Sequence, residues 1–254
     1  MKKKLNTLLL FILLAGSSQL VTGQTIRYST DSLVTINPGV SDFTELKVGG
    51  PVDIVITQGQ AESLKLTLPA EVRDRIVAEV SGHTLYIHNK HDNWSQGEKS
   101  WYSDKGYWHR THARIIAYLT VKNLNAITLA GSGTMKFDNG LNADHMKLTV
   151  RGSGSMRGKV TTKNLLSKIS GSGSINISGN ADRSMVNVAG SGNFTAPELV
   201  TSNSNIKVSG SGDAKVNAQE QLSAAVTGSG EVSYTGSATK IITNKSGSGS
   251  IRKF

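Results

Sequence analysis

Five aromatic side chains fall in one polar stretch, residues 89–113, and their types and spacing suit the binding of a ligand. This aromatic insertion contains Trp94, Trp101, Tyr102, Tyr107 and Trp108, interleaved with lysine and arginine. Rigid rings at a surface supply much of the energy of recognition, and the cations suit an acidic partner. The stretch predicts an exposed loop or long hairpin, which either forms a recognition surface or folds back over a flank of the protein.

Four histidines frame the aromatic insertion, namely His88, His91, His109 and His112. A zinc ion requires three or four ligands that converge on one point. The histidines form two pairs with a three-residue step, His88 with His91 and His109 with His112. On a strand, residues three apart face opposite sides of the sheet, so the two histidines of each pair would point away from each other. The sequence therefore predicts neither a metal site nor a bound cofactor.

The side chains of the C-terminal repeats offer little support for catalysis. Each repeat has a serine, but a nucleophilic serine needs a neighbouring base, and the repeats contain one histidine, His145. Two carboxylates, Asp213 and Glu231, occupy equivalent places in successive repeats and are the candidates for a polysaccharide-active enzyme. Because two surface acids are more commonly solvated than catalytic, we predict no enzymatic activity and no catalytic residue.

A repeat organises the elements that must position these side chains. The tripeptide Gly-Ser-Gly returns seven times between Gly131 and Gly249, at steps of 18 to 21 residues. A fixed period of this length is typical of a solenoid. Around every motif but the last, small or apolar residues keep one parity, as Leu148, Val150 and Met156 do. Since side chains alternate along a strand, this pattern predicts both glycines on the buried face and the serine between them outside.

The predicted fold class is therefore all-β, a parallel β-solenoid with about seven coils marked by Gly-Ser-Gly over residues 123–254. Residues 42–122 form a β-rich N-terminal half, because short alternating runs with β-branched residues predict half-buried strands. These runs lie at 43–58, 64–68, 84–88 and 114–121. Pro69 is placed to begin a short helical turn. We expect residues 42–254 to form a single domain, after a lead-in over residues 24–41.

Residues 1–23 have the order of a secretory signal peptide. Three lysines precede an apolar run and then small residues, and we expect cleavage between Gly23 and Gln24. The chain has no cysteine, so an exported form would have no disulfides. No later segment has the roughly 18 apolar residues of a transmembrane helix. We expect export to the periplasm, the cell surface or the medium, with no transmembrane segment in the mature chain.

The chain is basic, with a formal net charge of +10. A basic balance favours anionic partners such as phosphate, acidic polysaccharide or membrane headgroups, but ordinary solubility is the preferred explanation of a diffuse excess. Because the charge is spread along an exported chain, a nucleic-acid partner is not predicted.

Three blocks of sequence occur in an order that is specific to one protein family. They read FTELKVGGPVDIVITQG, SLKLTLPAEVRDRIVAEVSGHTLYIHNK and LTVKNLNAITLAGSG. Over residues 42–240 the chain resembles the head GIN domain family, a group of exported bacterial proteins named as auto-transporter adhesins and common in Bacteroidetes. The resemblance implies an all-β, solenoid-like fold and export to the envelope or beyond. An auto-transporter also carries a membrane β-barrel; no such strands follow the seventh repeat, so we expect no translocator in this chain.

The leading functional hypothesis is a non-enzymatic, exported binding or adhesion module of the cell envelope. Its partner would be a glycan or a protein of the envelope or of a host surface, contacted through the aromatic insertion. Two alternatives stay open at this point. One is a polysaccharide-active enzyme on a β-helix scaffold, and the other is a purely structural envelope protein.

Overall fold

The computed structural model describes residues 32–90 and 114–254. In this part the strands join into one sheet, and the one short helix is a 3-10 helix, Ala70–Arg75, which follows Pro69 as predicted. The strands of the N-terminal half are β1 (Leu33–Ile36), β2 (Glu45–Gly49), β3 (Val52–Gln58), β4 (Ser63–Pro69), β5 (Ile76–Ser81), β6 (Thr84–Asn89), β7 (Ile115–Val121) and β8 (Ala126–Gly131). The strands of the repeats are β9 (Thr134–Gly152), β10 (Ser155–Gly171), β11 (Ser174–Gly190), β12 (Asn193–Gly210), β13 (Asp213–Gly228), β14 (Glu231–Thr235), β15 (Lys240–Ser246) and β16 (Ser250–Lys253). Nothing helical in these two ranges has the length and apolar character needed to cross a membrane.

Each repeat forms one coil of a parallel β-solenoid. Strands β9 to β13 each run from one Gly-Ser-Gly motif to the next, over 16 to 19 residues. Neighbouring coils pair in parallel, so that Met156 lies opposite Met135 on one side and Ile175 on the other. The inward side chains, Phe137 and Phe194 among them, are buried because each coil covers the apolar side of the next. This stack confirms the predicted solenoid of about seven coils.

The Gly-Ser-Gly motif forms a corner of the coil, and one of its predicted features is wrong. The second glycine of each motif is buried, as Gly192 is, but the first glycine is more exposed, as Gly190 is. All seven first glycines have φ between +101° and +134°. Because this backbone conformation suits glycine and turns the strand, the first glycine lies at the corner and not inside. The serines between the glycines are exposed, as predicted.

The N-terminal half belongs to the same stack of coils. Val48 in β2 pairs in parallel with Leu129 in β8 and with Ile87 in β6. On the other half of the coil, β3 pairs with β7 and with the first residues of β9. The coil β2–β3 therefore has β6 and β7 on one side and β8 and β9 on the other. The antiparallel strands β1, β4 and β5 extend the side formed by β6 and β7.

The aromatic insertion falls between β6 and β7, at a corner of the solenoid. In the neighbouring coil, only Gly50 and Pro51 separate β2 from β3. In the coil after that, the same corner is the first Gly-Ser-Gly motif, between β8 and β9. Residues 91–113 themselves lie outside the described part of the chain.

Candidate functional site

One outward surface of the solenoid is formed by the strand segments that precede the Gly-Ser-Gly motifs. Lys147 lies opposite Leu166, and Leu166 lies opposite Met185. The neighbours of these side chains along each strand, such as Leu148 and Val186, are buried, so this column points outward. We call this surface the cation face. It is defined by the outward side chains of residues 145–151, 164–170, 183–189, 203–209 and 221–227.

The cation face carries positive charge without carboxylates. None of its five segments contains aspartate or glutamate. Four consecutive coils contribute exposed cations: Lys147 and Arg151 from the first, then Lys168, Arg183 and Lys207. Among the residues that the structure describes, none forms an ion pair with Lys147, Lys168, Arg183 or Lys207. Three exposed carboxylates, Asp144, Asp182 and Glu220, lie one position before three of these segments. The face therefore presents an excess of positive charge that is bordered by carboxylates on one side.

The strand segments that follow each motif form a surface of different character, which we call the mixed face. It is defined by the outward side chains of residues 134–138, 155–159, 174–178, 193–197 and 213–217. Here Arg157 Nη2 lies 3.3 Å from Asp138 Oδ2. Further along the same side, Arg252 Nη2 lies 3.0 Å from Glu231 Oε1. Because both signs of charge alternate here, the mixed face serves as an internal comparison for the cation face.

An open groove of about 770 Å³ lies on the cation face across strands β9 to β13. One of its sides is the column His145, Asn164, Arg183, Asn203 and Gln221. The other side is the column Lys147, Leu166, Met185, Asn205 and Ser223. Met185 is 48% exposed, and apolar atoms make up most of the surface that the groove exposes. Amides, hydroxyls and cations stand along its sides, so the groove can contact both the apolar and the polar parts of a ligand.

The aromatic residues predicted to bind a ligand belong to the insertion between β6 and β7. Trp94, Trp101, Tyr102, Tyr107 and Trp108 all fall within residues 91–113, outside the described part. Their assignment as ligand-binding residues stays a prediction.

One of the four framing histidines, His88, is described. Its side chain is buried, and Nδ1 lies 2.7 Å from the Asn89 carbonyl oxygen. Within residues 32–90 and 114–254, no three metal-binding side chains come together. His91, His109 and His112 lie outside these ranges, so the expectation of no metal site at this place stays a prediction.

The two carboxylates considered for polysaccharide chemistry are adjacent in the stack and bind neighbouring coils together. Asp213 Oδ1 accepts a hydrogen bond from the Glu231 backbone N–H at 2.9 Å. The Glu231 carboxylate accepts hydrogen bonds from Arg252 at 3.0 Å, from Ser250 at 3.2 Å, and from Ser233. The pKa of Glu231 is below its ordinary value, and the hydrogen bond from the Arg252 guanidinium contributes most to this lowering. A carboxyl group with a lowered pKa stays ionised, which does not suit a general acid.

Replacing Glu231 by glutamine should remove an acid-sensitive part of the stability. Since the folded-state pKa of Glu231 is lowered, its contribution is present above the ordinary value of 4.5 and is lost as the pH falls through the folded-state value. Glu231→Gln should therefore melt at a lower temperature than the wild type at pH 6, and this difference should shrink toward pH 3. Circular dichroism melts across this range measure it. Glu198→Gln, at an exposed position, is the control and should show no such trend; equal trends in both variants would contradict the assignment.

Reading the sequence in chain order missed the cation face, although a signal for it was present. When the repeats are aligned on Gly-Ser-Gly, the half that precedes each motif contains no acid near its end. The half that follows the motif contains Asp138 and Asp213. The separation of charges between the two halves of a coil becomes visible only when the parallel register places the segments side by side.

Solved structures of the same fold come from species of Bacteroides and Parabacteroides. A putative adhesin from Bacteroides fragilis matches with a TM-score of 0.75 at 24% identity, over 89% of this chain and 98% of that chain. A putative lipid binding protein from Parabacteroides distasonis matches with a TM-score of 0.67 at 25% identity, over the same shares. A putative adhesin from Parabacteroides merdae matches with a TM-score of 0.66 at 19% identity, over 89% and 97%.

Family membership rests on a match of another kind. Among the curated proteins, no match to this chain is found. The family model described as "Putative auto-transporter adhesin, head GIN domain" matches residues 42–238. This match includes β2 to β14 and ends before β15, and it agrees with the blocks of sequence and with the fold. The chain therefore belongs to the head GIN domain family.

Proposed function

We propose that this protein is a non-enzymatic adhesion module of the cell envelope, exported by a signal peptide over residues 1–23, and that the cation face is its ligand-binding surface. The adhesin names of the family and of two structural neighbours support the adhesive role. The observation that carries the choice of surface is the groove on a face without carboxylates, continuous over five successive coils. Its ligand would be a glycan or a protein of the envelope or of a host surface.

The scaffold supports binding because it holds the side chains in fixed columns. Successive strands of a sheet lie about 4.8 Å apart, so each column repeats its side chains at that spacing. The backbone of each coil is hydrogen-bonded on both sides, as β11 is between β10 and β12. A surface that is already ordered loses little entropy when a ligand binds, which favours affinity.

The aromatic insertion is a second contact in this proposal. Trp94, Trp101, Tyr102, Tyr107 and Trp108 would contribute rings to the ligand, in line with the enrichment of tryptophan and tyrosine at interfaces. The strands that flank the insertion, β6 and β7, belong to the same stack of coils as the cation face. The proposal for these rings rests on their residue types and is tested separately below.

Filling the groove with a large side chain tests the proposed surface. Asn205 is exposed on the cation face, and Asn176 is exposed on the mixed face. We expect Asn205→Trp to reduce ligand binding by about tenfold or more, because the indole occupies the groove. Asn176→Trp should leave binding within about twofold of the wild type. Exposed substitutions of this kind usually change stability by no more than about 0.5 kcal/mol. Residues 24–254 on a glycan array and in pull-downs with envelope proteins supply the measurement. Full binding by Asn205→Trp would reject the cation face as the site.

Two further variants, Trp101→Ala and Trp108→Ala, separate the insertion from the face. If the rings contribute, each variant weakens the binding found for the wild type, and the combination of either with Asn205→Trp abolishes it. Full retention of binding in both tryptophan variants would show that the assignment of the rings is wrong. No ligand on the array or in the pull-downs would reject the adhesive function itself.

A further inference from the structure

We infer that the ligand of the cation face is an acidic polysaccharide, a linear chain of sugars with carboxylates, which lies along the solenoid axis in the groove. This inference rests on the proposed function, since it names the ligand class for the same surface. Three properties of the face lead to it: the spread of the cations, the amides between them, and the small number of large apolar side chains that are exposed.

The cations are spread along the solenoid and not clustered. Lys147, Lys168, Arg183 and Lys207 belong to four consecutive coils, β9 to β12. With strands about 4.8 Å apart, the four charges extend over about 14 Å along the axis. Lys147 and Arg183 line the groove. Lys168 and Lys207 share the column beside it, with Asn187 between them. A polymer whose carboxylates recur along its length can contact charges spread in this way, whereas a phosphate group favours several cations that converge.

Amide side chains occupy the places between the cations. Asn164, Asn203 and Gln221 lie in the column of Arg183, and Asn205 lies in the next column. Asn164 Nδ2 lies 3.4 Å from His145 Nδ1. The side chains of the other three make no hydrogen bond to any described residue. Because an amide both donates and accepts, these side chains can bind the hydroxyls that line a sugar chain.

The face exposes too few large apolar side chains to enter a lipid bilayer. Across the five segments of the cation face, the large apolar side chain that is well exposed is Met185. With the half-buried Leu166 beside it, this strip can contact the C–H side of a sugar ring. An interfacial membrane protein needs a broader set of apolar side chains that enter the acyl region. The neighbour named as a lipid binding protein makes a lipid surface the alternative that the test must include.

The test compares removal of two lysines from each face. Lys168→Gln with Lys207→Gln changes the cation face, and Lys136→Gln with Lys215→Gln changes the mixed face; all four side chains are exposed. The two double variants have the same net charge, so a general loss of charge affects them equally. The probes are polygalacturonate, alginate and fully methyl-esterified polygalacturonate, with poly-glutamate and vesicles that contain phosphatidylglycerol as the other anionic surfaces. Dissociation constants are measured by calorimetry at low and at moderate salt.

We expect the wild type to bind polygalacturonate or alginate and not the methyl ester. The cation-face variant should lose about tenfold in affinity and the mixed-face variant less than about twofold, a difference that corresponds to two exposed charge contacts. Since exposed charges are screened over about 10 Å at 0.1 M salt, the wild-type affinity should fall as salt rises.

Several results would overturn the inference. Equal losses in the two double variants would show that net charge alone attracts the polymer. Binding to poly-glutamate or to the anionic vesicles as tight as to the uronate polymers would also reject it. A third result is that the protein binds neither uronate polymer but binds another ligand, with an affinity that Asn205→Trp reduces. That result would reject the acidic polysaccharide and retain the proposed adhesive function. The inference and the function therefore fail by different results.

Discussion

Gly192→Ala is expected to lower the free energy of unfolding by about 3 kcal/mol, at the upper end of the usual cost of overpacking. The second glycine of the motif is buried. A Cβ atom at Gly192 would lie 2.5 Å from Ile169 Cγ2 and 2.6 Å from the carbonyl oxygen of Gly173. The methyl of Ile169 can shift, but the carbonyl of Gly173 belongs to the backbone of the preceding coil. The alanine therefore forces two coils apart at the corner.

The corner has little freedom to accommodate such a shift. The Gly173 carbonyl accepts a hydrogen bond from the Asn193 backbone N–H at 3.0 Å, and the Gly154 carbonyl accepts one from Ser174 at the same distance. The same arrangement recurs from coil to coil, so displacement at one corner strains its neighbours on both sides. In a repeat protein each coil is stabilised by its interfaces with adjacent coils, and a weakened interface lowers the stability of the stack.

A thermal melt followed by circular dichroism measures this effect. For a chain of this size, 1 kcal/mol corresponds to about 2–4 °C in melting temperature, so we expect a decrease of roughly 6–12 °C. Ser191→Ala is the matched control, because Ser191 is exposed one position earlier in the same motif, and it should change stability by less than about 0.5 kcal/mol. A Gly192→Ala protein as stable as Ser191→Ala would show that the coils do not approach as closely as the structure indicates.

Much of the solenoid was predictable because its signal is local and repeated. Val186, Val188 and Phe194 alternate with polar residues around one motif, and they are buried as expected. The exposure of Gly190 was not predictable from that alternation. A two-residue period assumes an extended strand, and Gly190 has a φ of +106°. The period in the sequence reveals that a motif recurs, but only the structure gives the backbone conformation at the motif.

The order of the N-terminal coils and the cation face depend on long-range pairing. Val48 pairs with Leu129, far along the chain, and no repeated motif marks this partnership in the sequence. Likewise, Lys168 and Lys207 become neighbours in one column only through the register of β10, β11 and β12. The aromatic insertion, in contrast, is conspicuous by composition alone. Composition therefore points first to rings and less readily to a surface assembled from separate coils.

Phe137 and Gly158 form a pair in which a large side chain fills the space that a glycine leaves. Phe137 is fully buried and lies opposite Gly158 in the adjacent coil. A Cβ atom at Gly158 would lie 2.5 Å from Cγ and 2.6 Å from Cε2 of the Phe137 ring. Gly158→Ala should therefore cost about 2 kcal/mol by overpacking. Phe137→Leu alone should destabilise as well, because it leaves part of the same space empty.

The two substitutions together should cost less than the sum of their separate effects. In the double variant the alanine methyl occupies space that the smaller leucine vacates, so we expect a favourable coupling of about 1 kcal/mol, within the range found for residues in contact. Denaturant unfolding of the wild type, both single variants and the double variant measures it. Phe194→Leu combined with Gly158→Ala is the control, since Phe194 lies two coils away from β10, in β12, and the effects should add. Additive effects for Phe137 as well would mean that the ring and the glycine do not share the same space, and that adjacent coils are matched by apolar character alone.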